Sequence, residues 1–262
     1  MSDTEQRAMM VNADGKGVPV STAKKRRQEQ STVKKRSRSG ALKSSLTVEL
    51  HTHYAIRLWD GRRNEGNTSV RAEKKRRPTI FSMPQVIAVA GVANKDSDAD
   101  NPYADALLVK LENALEVSSQ AIQTDIEELT SILESIPHSL SLTDVRSVSP
   151  LNIGVYSHSP LGYRCVWLLV GYDQLALKVF QAFHYGLISR AQRDRYLDNN
   201  GYAVRQIYSL VQNYRTFSVT RSDIRAKTPQ GINAINRFGH PDPDIMSGKV
   251  RSSFSMPLRA GG

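Results

Sequence analysis

The sequence predicts a mainly helical fold with one short β element near its N-terminus. Apolar residues recur every three or four positions over 101–136 and in several segments up to 239, which is the period of an α-helix. Residues 46–58 instead alternate between apolar and polar side chains, which is the period of a strand. The single cysteine, Cys165, excludes an intramolecular disulfide and therefore a disulfide-framed secreted fold.

The positive charge of the chain is concentrated in two short segments. The 262 residues carry a formal net charge of +11. Residues 1–45 hold 11 basic and four acidic side chains, and residues 57–77 hold eight basic and three acidic ones. The remainder therefore sums to about −1, since the two segments already account for the excess. A near-neutral body with cationic segments excludes a uniformly basic packing protein and favours a polyanionic partner.

The N-terminal 45 residues are predicted to form a disordered basic tail, because they contain few large apolar side chains that a core could bury. One of the two basic clusters of this tail consists of Lys24, Lys25, Arg26 and Arg27. Such a tail either contacts nucleic acid or only keeps the protein soluble, and the tail alone favours neither role.

The unbroken alternation from Leu46 to Leu58 predicts one long strand with a buried face and a polar face. The other candidate strand, within 151–160, is short, so we expect the first strand to pair with its copy in a second chain. A two-stranded ribbon fits the major groove of DNA, where its outward side chains can contact base edges. The candidate base contacts are Thr47, Glu49, His51 and His53, with Arg57 at the end of this face.

A basic loop follows the strand. It runs from Asp60 to Pro78 without apolar periodicity. Cations that neutralise phosphates give DNA affinity that falls with salt. The candidate phosphate contacts are Arg57, Arg62, Arg63, Lys74, Lys75, Arg76 and Arg77, with the tail cluster Lys24–Arg27 adding affinity.

Capping residues predict where the helices begin. The predicted helices are Ser82–Asn94; a long one from Asn101 and Pro102 that ends before Pro137; Leu161–Tyr185; one capped by Ser189, interrupted at Asn199–Gly201 and resuming to Tyr214; and one capped by Thr220 that restarts at Thr228–Pro229 and ends at Gly239. The aromatic residues of 156–217 lie at core-like spacing without interleaved lysines, which favours packing over base stacking.

Catalytic and metal-binding patterns are absent from the sequence. The acidic run from Asp96 to Asp100 imitates a calcium loop, but Asn101 and Leu107 stand where glycine and glutamate are needed. The His51–His53 pair lacks a third ligand. We therefore expect no enzyme, no cofactor or metal, and no small-molecule substrate. The chain also shows no apolar run long enough to cross a membrane and no signal peptide, which predicts a cytoplasmic protein.

Four segments resemble the AcaB-like transcriptional regulators of conjugative plasmids and integrating conjugative elements. They are LTVELHTHYAIRLWDGR (46–62), NPYADALLVKLE (101–112), SPLGYRCVWLLVGYDQLALKVFQAFHYGLISR (159–190) and YRTFSVTRSDI (214–224). The resemblance covers about 41–258. It implies a homodimeric ribbon-helix-helix protein that binds double-stranded DNA and activates conjugative transfer genes.

On this basis the predicted organisation has four parts: the tail, 1–45; a ribbon-helix-helix-like DNA-binding and dimerisation region, 46–137; a helical C-terminal region, 138–239; and a flexible tail, 240–262. The leading functional hypothesis is a sequence-specific transcriptional regulator, bound to the nucleoid when on DNA. The alternatives are an architectural accessory protein of the relaxosome or of mobilisation, and a scaffold of the conjugation machinery that does not bind DNA.

Overall fold

The computed structural model describes residues 46–62, 79–137, 139 and 142–258, all of which belong to one compact unit, Ser44–Gly262. Within these residues, eight helices accompany one two-stranded antiparallel sheet. The predicted class, mainly helical with a short β element, is confirmed. The predicted disordered tail, 1–45, lies outside the described residues.

The sheet is formed within one chain. Strand β1 (Leu46–Leu50) pairs antiparallel with β2 (Leu151–Val155), and Val48 lies opposite Ile153. This finding corrects the expectation that β1 pairs with a second copy, on which the ribbon-helix-helix arrangement depends. The sequence indicated a short candidate strand within 151–160, but the five residues of β2 are too few for a periodic signal strong enough to predict its pairing with β1.

The strand ends early because the next two residues bind a buried carboxylate. Asp173, which is 2% exposed, accepts hydrogen bonds from the backbone N–H groups of His51 and Thr52, both at 2.8 Å. It also accepts one from the Thr52 hydroxyl at 2.6 Å. An N–H bound to a side chain cannot continue a ladder, so pairing stops at this point.

A helix replaces the second half of the predicted strand. The Thr52 hydroxyl oxygen accepts a hydrogen bond from the Ala55 N–H and caps α1 (His53–Asp60). Ala55 and Leu58 are both buried, at a helical spacing of three. The strand prediction from His53 to Leu58 was wrong because the alternation also contains this helical pair.

The next two helices begin where their caps predict. Helix α2 (Met83–Asp98) starts with a capping box between Ser82 and Gln85, and runs four residues past the predicted end at Asn94. Helix α3 (Pro102–Glu134) starts at Asn101, whose side chain accepts hydrogen bonds from the N–H groups of Tyr103 and Ala104.

Two central helices follow β2. Helix α4 (Pro160–His184) is buried along most of its length, as predicted. Helix α5 (Arg190–Gln212) is continuous, so the predicted interruption at Asn199–Gly201 was wrong. The Asn200 amide donates to the Asp125 carboxylate at 2.6 Å, and this contact with α3 stabilises a residue that otherwise favours turns.

Three short helices complete the chain: α6 (Arg221–Arg225), α7 (Pro229–Phe238) and α8 (Pro243–Met246). The first two begin at Thr220 and Thr228 as predicted.

Within the predicted flexible tail, 240–262, Arg251 and Ser253 contact α3. Arg251 forms an ion pair with the fully buried Asp105, with Nε and Oδ2 2.9 Å apart, and Ser253 bonds to Glu112. The sequence lacked a signal for this anchoring because a polar segment rich in proline and glycine is also typical of a loose terminus.

The main core joins parts of the chain that the sequence predicted as separate regions. Its buried side chains come from β1, β2 and α1 to α5, and therefore from both 46–137 and 138–239. A second, smaller cluster contains Val219, Ile224 and Ala234 and belongs to the α6–α7 segment.

Replacing Asp173 tests the junction between β1 and α1. Asp173→Ala leaves two buried backbone donors and one hydroxyl without their acceptor, so we expect the free energy of unfolding to fall by about 3 kcal/mol. Asp144→Ala removes an exposed carboxylate and should change it by less than about 0.5 kcal/mol. Urea denaturation followed by circular dichroism measures both. Equal effects would show that the Asp173 contacts do not hold the junction.

Candidate nucleic-acid interface

An open groove of about 580 Å³ lies between α1, α4 and α5. Charged and aromatic side chains dominate its walls, which distinguishes it from an apolar ligand pocket. The lining residues are Tyr54, Arg57, Leu58 and Asp60 of α1, Gly61, Arg62 and Ile80 beside it, Tyr172 of α4, and Leu197, Asp198 and Arg205 of α5.

The basic loop is attached to the rim of this groove. The backbones of Arg62 and Ile80 exchange two hydrogen bonds, of 2.8 and 2.9 Å. Gly61 precedes this bridge at φ +70°, where a Cβ would come within 2.6 Å of the Ser82 nitrogen, so the turn requires glycine. Residues 63–78, with six basic and two acidic side chains, therefore connect two points of the same rim.

Three guanidinium groups line the groove. Arg57 is exposed and Arg205 is half-buried, and among the described residues neither forms an ion pair with a carboxylate. Arg62 lines the groove at the loop attachment. Asp60 and Asp198 are the acidic side chains of the lining, which leaves an excess of positive charge. A guanidinium binds phosphate oxygens through two parallel N–H groups, so this arrangement suits a phosphate backbone.

A close approach of α5 to α4 positions Arg205. A Cβ on Gly201 would lie 2.9 Å from the Tyr172 hydroxyl and 3.2 Å from Nη1 of Arg205. Glycine is therefore the residue that allows Tyr172 and Arg205 to occupy the same side of α5. The Tyr172 hydroxyl donates to the Leu197 carbonyl at 3.0 Å, which links the two helices at the groove.

The buried phenol of the groove keeps its proton. The pKa of Tyr172 is raised to about 12, mainly because the side chain is buried; Arg205 opposes this shift, and Tyr54 and Asp198 add to it. At neutral pH the side chain is therefore a neutral hydrogen-bond donor and adds no negative charge to the groove.

The predicted base contacts do not share one strand face. Thr47 and Glu49 are exposed on β1, opposite Gly154 and Asn152 of β2. His51 is half-buried, and its Nδ1 accepts a hydrogen bond from the Ser147 N–H at 3.3 Å.

The fourth predicted base contact and the first phosphate contact are on a helix. His53 is exposed at the start of α1, and Arg57 is one turn further along. The single recognition face expected from Thr47 to Arg57 is thus divided at Thr52, where the strand gives way to the helix.

The predicted phosphate contacts that the structure describes do converge. Arg57 and Arg62 line the same groove. The others lie outside the described residues: Arg63, Lys74, Lys75, Arg76, Arg77, Lys24, Lys25, Arg26 and Arg27.

Sequence reasoning missed the contribution of α5. Asp198 and Arg205 are seven residues apart, so a continuous helix places them two turns apart on one side. The predicted interruption at Asn199–Gly201 separated these residues and concealed their relation. Predicting α5 as one continuous helix places Arg205 on the same side as Asp198. It does not predict that Arg205 and Arg57 line the same groove.

The other candidate chemistry finds no support in the described part of the chain. Burial raises the pKa of the Cys165 thiol to about 12, which makes a thiolate nucleophile unfavourable. No group of three metal-ligating side chains occurs among the residues searched, which are those the structure describes. In the same residues, no helix has the length and apolar character of a membrane span.

Comparisons with known proteins find similarity to one group of transcriptional regulators. The family described as transcriptional regulator AcaB matches residues 38–259. A crystal structure of AcaB from uropathogenic E. coli superposes with a TM-score of 0.49 at 10% identity, covering 79% of this chain and 96% of that one. A search of curated proteins found no match.

Alkaline titration tests the burial of Tyr172. The folded protein holds this proton up to about pH 12, whereas an unfolded tyrosine releases it near pH 10. The stabilisation is therefore complete below pH 10 and is lost as the pH rises towards 12, by about 1 kcal/mol at pH 11. Urea denaturation at pH 8, 10 and 11 should show a smaller loss for Tyr172→Phe than for the wild type. Parallel losses would contradict the assignment.

Proposed function

The chain belongs to the AcaB family of transcriptional regulators, and from this premise we propose that it regulates transcription by sequence-specific binding to double-stranded DNA. The observation that carries the proposal is the groove of Arg57, Arg62 and Arg205 at the attachment of the basic loop. Phosphate contacts supply most of the affinity in such complexes and fix the position of the protein on the duplex.

In this mechanism, the groove and the loop act on the same stretch of backbone. Arg57, Arg62 and Arg205 supply guanidinium groups within the groove, and Arg63 and Lys74–Arg77 of the loop supply further phosphate contacts. The tail cluster Lys24–Arg27 adds affinity that does not depend on sequence. The groove is thus the part of the proposed phosphate contact that the structure describes.

Three of the four predicted base contacts are exposed. Thr47, Glu49 and His53 are exposed and stay candidates for contact with base edges. The His51 imidazole is already engaged by the Ser147 N–H, so its direct contact with DNA would first require that hydrogen bond to break.

The proposed biological role is based on the resemblance of the sequence to the AcaB-like transcriptional regulators. We propose that the protein acts as a homodimer in the cytoplasm, associates with the nucleoid when bound, and activates genes for conjugative transfer. Footprinting on DNA from the mobile element that carries the gene distinguishes this role from the accessory one. Protection at promoters supports a regulator, whereas protection confined to a transfer origin supports a relaxosome or mobilisation protein.

Replacing Arg57 and Arg205, two groove arginines that form no ion pair among the described residues, tests whether the groove contributes to DNA binding. We expect Arg57→Gln combined with Arg205→Gln to weaken binding to all DNA sequences alike and to reduce the slope of log K against log salt by up to about 1.8. The measurement is fluorescence anisotropy with a labelled 30-bp duplex from 50 to 300 mM NaCl.

The matched control combines Lys110→Gln with Arg190→Gln, which removes the same charge from exposed positions outside the groove. This variant should keep the wild-type slope. Equal slopes for the groove variant and the control would show that the groove does not contact DNA phosphates. Undetectable binding of the wild type to every duplex and upstream fragment would refute the proposed function.

A further inference from the structure

The two-stranded sheet leaves one edge of β2 open. Among the described residues, β1 is the only strand that pairs with β2, and the backbone of Leu151–Val155 makes no hydrogen bond outside this ladder. Alternate residues of an antiparallel strand direct their N–H and C=O groups away from the partner strand. The outer edge of β2 therefore presents backbone donors and acceptors with which a further strand can pair.

The sequence of β2 lacks side chains that would prevent the addition of a strand. Native proteins protect exposed edges with charged residues, above all lysine, and with proline. The five residues of β2, LNIGV, include neither. Gly154 is exposed, and a Cβ built on it would meet no atom within 4 Å. The outer edge of β2 is thus open both chemically and sterically.

An apolar groove of about 230 Å³ lies beside this edge, and we call it the β2–α2 groove. Strand β2 supplies Gly154 and Val155 to its lining, whereas β1 supplies no described residue. The groove therefore lies on the side of β2 that faces away from β1. Its opposite wall is helix α2, through Pro84, Ile87 and Ala88. A strand added here would have β2 on one side and a helix on the other.

Aromatic side chains line the rest of the groove. Trp59 comes from α1, and Tyr156, which is 67% exposed, follows β2. The Tyr156 ring packs edge-on against the His158 ring, with centroids 4.9 Å apart. The volume is smaller than that of most small-molecule sites, which is roughly 300 to 1,000 Å³. The groove therefore suits one or two side chains of a larger partner.

The chemistry of the lining selects an uncharged partner segment. None of the lining residues, all of which are described, is Asp, Glu, Lys or Arg. A polyanion such as DNA finds no cation here that could neutralise its phosphates. A large aliphatic or aromatic side chain, in contrast, would lose apolar surface to water-free contact with Trp59 and Ile87. The occupant is thus a peptide segment with an apolar side chain.

A second copy of the described chain does not match this site. In each copy, α2 forms the wall opposite the outer edge of β2. Two such edges could pair only if both α2 helices moved aside. A single extended segment has no flanking helix, so it can lie between β2 and α2 as the structure shows them.

We propose that the β2–α2 groove binds an extended, uncharged peptide segment of a partner protein, which adds to the outer edge of β2 as a third strand. Backbone hydrogen bonds to β2 supply affinity in such complexes, and pockets for alternate side chains supply specificity. One large apolar side chain of the peptide enters the groove beside Ala88. This protein contact is separate from the DNA contact proposed above and does not depend on it.

Selection from a phage-displayed library of random 12-residue peptides on the full chain tests the proposal. The wild type should enrich peptides with alternating apolar residues. The most enriched peptide, synthesised with fluorescein, should bind Ala88→Trp at least about tenfold more weakly, because the indole fills the groove. The matched control is Ala121→Trp, the same change at an exposed position of α3, which should bind as the wild type does. Fluorescence anisotropy measures both affinities.

N-methylation of the peptide separates strand addition from the burial of a side chain alone. Only every second residue of an added strand donates its N–H to β2. Methyl groups on one alternating set of nitrogens should therefore weaken binding at least about tenfold, whereas methyl groups on the other set should change it by less than about twofold. Equal effects of the two sets would show that no strand is added.

The remaining outcomes decide between occupants. If the wild type enriches no peptide over Ala88→Trp, the proposal is overturned. If, in addition, sedimentation detects a dimer of the wild type and of Ala121→Trp but not of Ala88→Trp, the groove belongs to a second copy. Peptide binding should be the same at 50 and 300 mM NaCl, unlike DNA binding, because the groove is uncharged. A wild type that binds the peptide but no duplex would refute the proposed function alone. Circular dichroism verifies the folding of both tryptophan variants.

Discussion

The buried carboxylate of Asp173 determines where β1 ends and α1 begins, and the position of the arginine groove depends on that point. Its hydrogen bonds to His51 and Thr52 stop the strand and set Thr52 as the cap of α1. Arg57 then falls in the last turn of the helix, close to the loop attachment at Arg62. A helix starting one residue later would rotate Arg57 by about 100° away from the groove.

Helix starts were predictable because their signals are local. Asn101 followed by Pro102, and Thr220 followed by Asp223, place a capping side chain beside the donors it satisfies. These contacts span two or three residues, so a short stretch of sequence contains both partners. The corresponding helices begin at the predicted residues.

The errors arose where a residue far along the chain decides the local structure. The alternation of 46–58 predicted a strand, but Asp173, more than 110 positions away, ends it at Leu50. Asn200 and Gly201 predicted an interruption, but their contacts with Asp125 and Tyr172 stabilise the helix. Such pairings depend on tertiary packing, and no local pattern contains them. The same limit concealed the α5 side of the groove.

The net charge of a sequence segment does not give the charge that the segment exposes at the protein surface. The body outside the two basic segments sums to about −1, which suggested a neutral scaffold. Part of that balance is internal, because Arg221 and Arg251 are paired with Asp105 below the surface. These groups contribute to the total but not to the exterior.

Helix α5 connects the arginine groove to the attachment of the basic loop. Arg205 lies in the groove, and the Gln212 amide is 3.5 Å from the Thr79 carbonyl at the loop attachment. Eight residues separate the end of α5 from the start of α6. The groove is therefore lined by helices of one chain, α1, α4 and α5, while β1 pairs with β2 of the same chain.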